Sequence, residues 1–171
     1  MDEATEAQRA SWRAALANYT RPTMLAMLIL GFASGLPLMM VFSKLSYWLR
    51  DVGIERTTIG FFSWITLSYT LKPLWAPVVD RIALPVLTRT LGQRRSWMVT
   101  AIAGTVLGLV VIALSDPKSG LGMTAFGAFL LSCSGATLDI SIDAWRIESA
   151  PRKEQANMAA SYVLGYRGAI M

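Results

Sequence analysis

The apolar residues of this chain are gathered into long runs instead of recurring at the spacing of an amphipathic helix or a half-buried strand. The runs cover roughly residues 24–49, 59–79, 97–115 and 121–144, and another begins near Ala156. A water-soluble core does not need such runs. A bilayer does, because about 20 residues rising ~1.5 Å each cover a hydrocarbon layer of ~30 Å. The pattern predicts an all-α membrane protein: a polytopic helical bundle with four full transmembrane helices and the start of a fifth. The fifth run reaches Met171 after about 16 residues, too few to cross at that rise. The chain is therefore expected to be the N-terminal part of a longer protein, its bundle (24–171) completed by a missing C-terminal half, and this piece alone is not expected to transport.

Residues 1–23 read as an N-terminal tail. It opens with Asp2, Glu3 and Glu6, not with the basic leader of a signal peptide, and is expected to stay in the mature protein. Within it, residues 4–19 place Trp12, Leu16 and Tyr19 on one helical face, which fits either a helix lying on the membrane surface or a disordered tail.

Composition removes several function classes. With no histidine and a single cysteine, Cys133, the chain offers neither a disulfide framework nor a metal site, and no cofactor is expected. Without a histidine, a nucleophile elbow or a metal-ligand cluster, an enzyme is not expected either. The net charge of +5 does not imply nucleic acid, since the basic residues sit in short segments between runs. Arg9, Arg13 and Arg21 lie in the tail; Arg81, Arg89, Arg94 and Arg95 lie in the second loop; Arg146, Arg152 and Lys153 lie in the fourth. The first and third loops hold only Arg50, Arg56 and Lys118. This asymmetry predicts an N-terminus in the cytoplasm, with membrane lipid as the surrounding partner.

Within or beside the runs stand Lys44, Lys72, Asp139, Asp143 and Arg167, where an ionised side chain costs about 2.5 to 3.5 kcal/mol on insertion scales. Such a residue normally faces a bundle interior or a water cavity and pairs with another charge, which makes it a functional candidate. Asp139 and Asp143 are one helical turn apart, with Arg146 a turn further on. A proton site switched by the approach of a cation would follow from that arrangement. So would a fixed ion-pair cluster of Asp139, Asp143 and Arg146 holding span four against the loop after span two. The depth of Asp139 favours the proton role for that residue, whereas Lys44 is near enough to the outer end of span one to snorkel to the headgroups. Gly31 and Gly35, and Gly104 and Gly108, each make a smooth groove for a neighbouring helix. Pro37, Pro73 and Pro77 favour kinks.

The loop after span two reads Asp80-Arg81 and, past an insertion, Gly92-Gln93-Arg94-Arg95. It resembles the split loop motif of the major facilitator superfamily, and the resemblance implies a cytoplasmic latch of Asp80, Arg81, Gly92, Arg94 and Arg95, with Arg146 beside it. More specific segments are similar to the AmpG-type muropeptide permeases of that superfamily: Leu30-Gly31-Phe32-Ala33-Ser34-Gly35-Leu36-Pro37, Thr58-Ile59-Gly60-Phe61-Phe62-Ser63, Lys72-Pro73-Leu74-Trp75-Ala76-Pro77, Asp139-Ile140-Ser141-Ile142-Asp143-Ala144-Trp145-Arg146 and Val163-Leu164-Gly165-Tyr166-Arg167. They run in order from span one to the chain's end.

The resemblance implies a twelve-helix carrier of the bacterial inner membrane that imports anhydromuropeptides, sugar-peptide fragments of the cell wall, from periplasm to cytoplasm with protons for peptidoglycan recycling. It assigns Asp139 and Asp143 to the family's paired acids and Lys72 and Arg167 to its embedded bases, with Lys44, Ser46 and Tyr166 as candidate cavity lining. Leu138, and the stretch from Lys44 to Ser46, depart from the family's usual pattern. Alternatives are a carrier of another cargo, such as acetyl-CoA or a sugar, and a membrane sensor that binds wall fragments without moving them.

Overall fold

A computed structural model describes residues 19–171, and these are helical, with no strand among them. The amphipathic segment 4–19, apart from Tyr19, lies outside the described residues, as do Arg9 and Arg13. The described chain forms an all-α fold with three helices long and apolar enough to cross a membrane.

The first of these, α1 (Pro22–Asp51), runs for 30 residues. Pro37 lies inside it and the turn Met40–Leu45 is π-helical. Proline lacks the N–H that would bond four residues back, and its ring crowds that carbonyl, so the ladder loosens here. A wider π turn is one way for a helix to absorb such a disturbance.

The run read from the sequence as a single span, 59–79, is divided into pieces. Helix α2 (Arg56–Phe62) passes through a 3₁₀ turn (Ser63–Thr66) into α3 (Leu67–Thr70), and after Leu71 the chain restarts as α4 (Lys72–Arg81). Pro73 explains the restart. It cannot continue a helix from α3, but in the first turn of α4 its missing donor costs nothing. Beyond it, α5 (Leu87–Leu91) ends at Gly92, whose φ of +80° suits glycine and reverses the chain into α6 (Gln93–Leu114). After a short turn come α7 (Leu121–Ser149) and α8 (Arg152–Ile170).

The described chain divides into two compact units, one holding the residues up to Gly35 with Ala150–Met171, the other Leu36–Ser149. In the first unit, the start of α1 packs on α8. Tyr162 donates to Ser34 at 3.1 Å, Arg21 pairs with Glu154 at 3.3 Å, and the backbone of α8 near Tyr162 lies against Gly31. Gly35 likewise meets α8 near Tyr166 and Ala169. The small-residue groove expected in span one is thus filled by a helix backbone.

In the second unit, α6 and α7 form a hairpin. A Cβ added at Gly108 would stand 2.8 Å from the backbone nitrogen of Leu131, so the helices meet at backbone distance there, as the second glycine pair predicts. Their outer faces differ. Along α6, Val99, Ile102, Val106, Val110 and Leu114 are exposed, which suits lipid; α7 buries Leu131, Ser132, Gly135, Ala136, Leu138 and Asp139. A core of Leu45, Leu49, Phe62 and Ala128 ties α1 and α2 to α7. Helix α7 is therefore the centre of the unit, and the polar residues it buries need partners.

Candidate functional site

Those partners come from the divided segment α2–α4. Ser132, Gly135 and Asp139 lie at intervals of three and four on one face of α7. Ile65, Ser68, Tyr69 and Lys72 present the same spacing opposite. Ser132 donates to the Ile65 carbonyl at 3.2 Å, in the 3₁₀ turn, which leaves Ser68 to donate to Ser132 at 2.6 Å. A hydroxyl from the neighbouring helix thus supports a backbone carbonyl at the irregular turn, a common answer to a broken helix in lipid. One turn on, Gly135 has no side chain because Tyr69 fills the space: an added Cβ would collide with the phenol oxygen and stand 2.9 Å from Cβ of Pro37.

One turn further lies the Lys72–Asp139 ion pair. Asp139 is 7% exposed, and the Lys72 ammonium also lies 5.0 Å from the centre of the Tyr69 ring. Burying two charges is costly unless each is paired and hydrogen-bonded. Here the ammonium has a carboxylate and an aromatic face, the second worth about 0.5–2 kcal/mol. Pro73 makes the geometry possible by ending α3, so that Lys72 leaves the chain at a helix start.

A second cluster forms at the far end of α4. Arg94 reaches Asp80 with one terminal nitrogen and holds Glu148 of α7 with Nε at 2.9 Å and Nη2 at 2.8 Å. Gln93 donates to the carbonyls of Val79 (3.0 Å) and Ile82 (2.7 Å), and Trp97 to Ile82 at 3.0 Å, satisfying the C-terminal carbonyls of α4. The eight residues from Lys72 to Asp80 rise ~12 Å and the nine from Asp139 to Glu148 ~13.5 Å. These near-equal lengths let α4 lie parallel to the last turns of α7, fastened at both ends.

The residues singled out in the sequence fall into separate places. Asp139 and Asp143 take different partners: Asp143 is exposed and pairs with Arg146 on its own helix at 3.2 Å. Of the loop residues, Asp80 and Arg94 meet, Gly92 makes the turn, and Arg81 and Arg95 are exposed and form no ion pair among the described residues. Lys44 lines a hollow of about 190 Å³ with Trp48 and Leu131, and Ser46 lines another. Arg167 and Tyr166 belong to the first unit, where Arg167 is exposed and the Tyr166 ring lies 6.1 Å from Tyr162. Sequence reasoning missed Tyr69, Ser68, Ser132, Gly135 and Glu148. The signal was available for three of them, since Tyr69 precedes Lys72 by three and Ser132 and Gly135 precede Asp139 by seven and four.

Residues 23–120 match the family model described as acetyl-coenzyme A transporter 1. The chain belongs to that family. It is 38% identical over 141 residues to the AmpG 4 protein of Rickettsia conorii, covering 81% of this chain and 33% of the relative. It is 35% identical over 149 residues to the anhydromuropeptide permease of Escherichia coli K12, covering 87% of this chain and 30% of the relative. The AmpG 1 protein of Rickettsia prowazekii is 32% identical over 139 residues. The chain thus spans about a third of the length of the curated relatives it matches. No solved structure is significantly similar to it. With such relatives and three helices able to cross a bilayer, the chain is a membrane-embedded one.

Proposed function

We propose that the full-length gene product is a proton-coupled carrier importing anhydromuropeptides across the bacterial inner membrane, with its N-terminus in the cytoplasm. The chain contributes the tail and bundle 24–171 of that carrier. On this reading α2–α4 make the second crossing and α8 begins the fifth, while the remaining helices of the transporter complete the cavity. Transport, not catalysis, is the activity.

The observation that carries the proposal is the part-buried Lys72–Asp139 pair, its carboxylate buried, between a broken helix and the central helix α7. An intramembrane pair of this kind is costly to keep, and it provides a switch. When a proton neutralises Asp139, the attraction to Lys72 is lost and α4 is released from α7 at that end. When the proton leaves, the pair re-forms. Alternating access then follows if one state of the carrier holds the pair and the other opens it. Asp143 and Arg146 take supporting places along the same path, and Arg167 is a further base of the carrier in the first unit. The Asp80–Arg94–Glu148 cluster acts as the cytoplasmic latch, with Gly92 setting the turn and Arg81 and Arg95 supplying surface charge. The name of the Escherichia coli relative supports the muropeptide as cargo.

A second reading of the cargo, acetyl-coenzyme A, is supported by the description of the matching family model. Uptake of labelled anhydromuropeptide and of labelled acetyl-coenzyme A into spheroplasts expressing the full-length gene product, with and without a protonophore, separates the two. Muropeptide uptake that collapses with the gradient is expected. Gradient-independent uptake would overturn the coupling, and uptake of acetyl-coenzyme A alone would overturn the cargo.

A further inference from the structure

The end of α1 away from the N-terminus carries a polar stripe that the ion-pair clusters do not use. Ser43, Ser46, Tyr47 and Arg50 follow one another at intervals of three, one and three, the spacing of a single helical face. Arg56, the first residue of α2, comes to the same hollow after the intervening turn. Together with Phe42 they line a cavity of about 370 Å³. Tyr47 is 77% exposed and Phe42 50%, so the hollow has two guanidinium groups, three hydroxyls and two open aromatic rings.

Three facts argue that the arginines are there for a ligand. Asp51 and Glu55 are their immediate neighbours in sequence, yet neither Arg50 nor Arg56 forms an ion pair among the described residues. On the proposed orientation the turn after α1 faces outward, the side on which short loops carry few basic residues. Finally, the guanidinium fork fits carboxylate and phosphate oxygens, and hydroxyls and aromatic faces beside it suit a sugar or peptide unit. At ~30 Å³ per water, the hollow holds about a dozen water-sized volumes. That is room for one unit of a larger molecule.

We infer that Arg50 and Arg56 form an outer docking site for the anionic group of the cargo, with Ser43, Ser46, Tyr47 and Phe42 holding the unit that bears it. The inference deepens the transport reading and rests on it. Under the muropeptide reading the anion is a peptide carboxylate; under the acetyl-coenzyme A reading it is a phosphate. A lipid headgroup phosphate offers the same chemistry from another source.

The test measures uptake by the full-length gene product, comparing wild type with Arg50→Gln, Arg56→Gln and both Arg→Lys variants, for anhydromuropeptide and for the same molecule with its carboxylates amidated. Each Gln variant is expected to raise KM for the free acid about tenfold or more, as for a lost charge-assisted hydrogen bond, with kcat within twofold. The Lys variants should recover part of the loss. The amidated cargo should bind weakly to wild type and lose nothing further in the variants. An unchanged KM overturns the inference, and so does an equal rise for both cargoes, the outcome if the arginines serve lipid phosphate or the fold. If wild type carries no muropeptide, the cargo reading fails separately. The docking site is then judged with pyrophosphate, titrated against the fluorescence of the purified protein: saturable quenching lost in both Gln variants keeps it, and quenching that is absent, or equal in the variants, overturns it.

Discussion

The two ends of α4 are fastened to α7 by opposite means. At its start, one ammonium meets one carboxylate against an aromatic ring, with Asp139 nearly out of reach of solvent. At its end, one guanidinium spans two carboxylates that are each about half exposed, Asp80 at 48% and Glu148 at 55%. More hydrogen bonds are made at the exposed end, yet the buried end should matter more. Water and salt substitute for a surface ion pair at little cost, whereas nothing substitutes for a buried partner once it is removed. On the proposed function, the difference separates a switch, which must be sensitive to one proton, from a latch, which must open and close easily.

The largest expected effect tests the buried end. Asp139→Asn leaves the part-buried Lys72 ammonium without its carboxylate. It should destabilise the full-length protein by about 3 kcal/mol, the low end for a broken buried pair, in thermal or denaturant unfolding in detergent. Proton-driven uptake should be lost. The double variant Lys72→Gln/Asp139→Asn removes the stranded charge and should recover most of the stability without recovering coupling. If the double variant accumulates cargo against the gradient as wild type does, the pair is structural only.

Next in size is Gly135→Ala, one turn from the pair. The added methyl would collide with the Tyr69 phenol and crowd Pro37, at a cost of about 1–3 kcal/mol by overpacking. Because Tyr69 also carries the ring beneath Lys72, uptake should fall along with stability. Tyr69→Phe removes the colliding oxygen, so the pair of changes should cost less than the sum. Strict additivity would mean that the ring does not occupy the gap.

How far these features were legible in the sequence depends on what each one rests on. The apolar runs forecast α1, α6 and α7 because a bilayer dictates length and composition together. They did not forecast the division of α2–α4. The break before Lys72 falls at Pro73, already marked as a kink former, but the 3₁₀ turn, supported by a hydroxyl from another helix reaching the Ile65 carbonyl, left no sign in the sequence. The intramembrane charges Lys72 and Asp139 stood out because burying a charge is expensive wherever it happens. Their pairing did not, since it depends on the packing of elements 67 positions apart. Asp143 was grouped with Asp139 by helical spacing, but the turn between them carries one carboxylate into the core and leaves the other exposed. Glu148 was passed over as one more surface acid beyond the apolar run, because the sequence does not reveal that α7 continues as helix to Ser149.

A smaller effect is expected at the irregular turn. Ser132→Ala withdraws the donor from the Ile65 carbonyl and the acceptor from Ser68, a loss of about 1 kcal/mol, rising towards 3 if the carbonyl finds no other donor. Unfolding of the variant in detergent should show this modest loss while uptake stays coupled. Lost coupling at wild-type stability would place the hydroxyls in the proton path and move the switch one turn along α7.

The smallest expected effect lies at the exposed end. In Glu148→Gln, Arg94 keeps Asp80 and can still donate to the amide oxygen, so the stability loss should be within about 1 kcal/mol and should shrink as salt is raised. Uptake should remain coupled to the gradient, with only its rate altered, because a weaker latch changes how readily two states exchange and not what drives them. Adding Asp80→Asn removes the second carboxylate and should enlarge the rate change, while the loss of stability remains below that of Asp139→Asn. The contrast between the two ends fails if Glu148→Gln destabilises the protein as much as Asp139→Asn does. That result would mean that the half-exposed carboxylates of Asp80 and Glu148 are covered in the complete transporter, and the exposed cluster would then be a second switch.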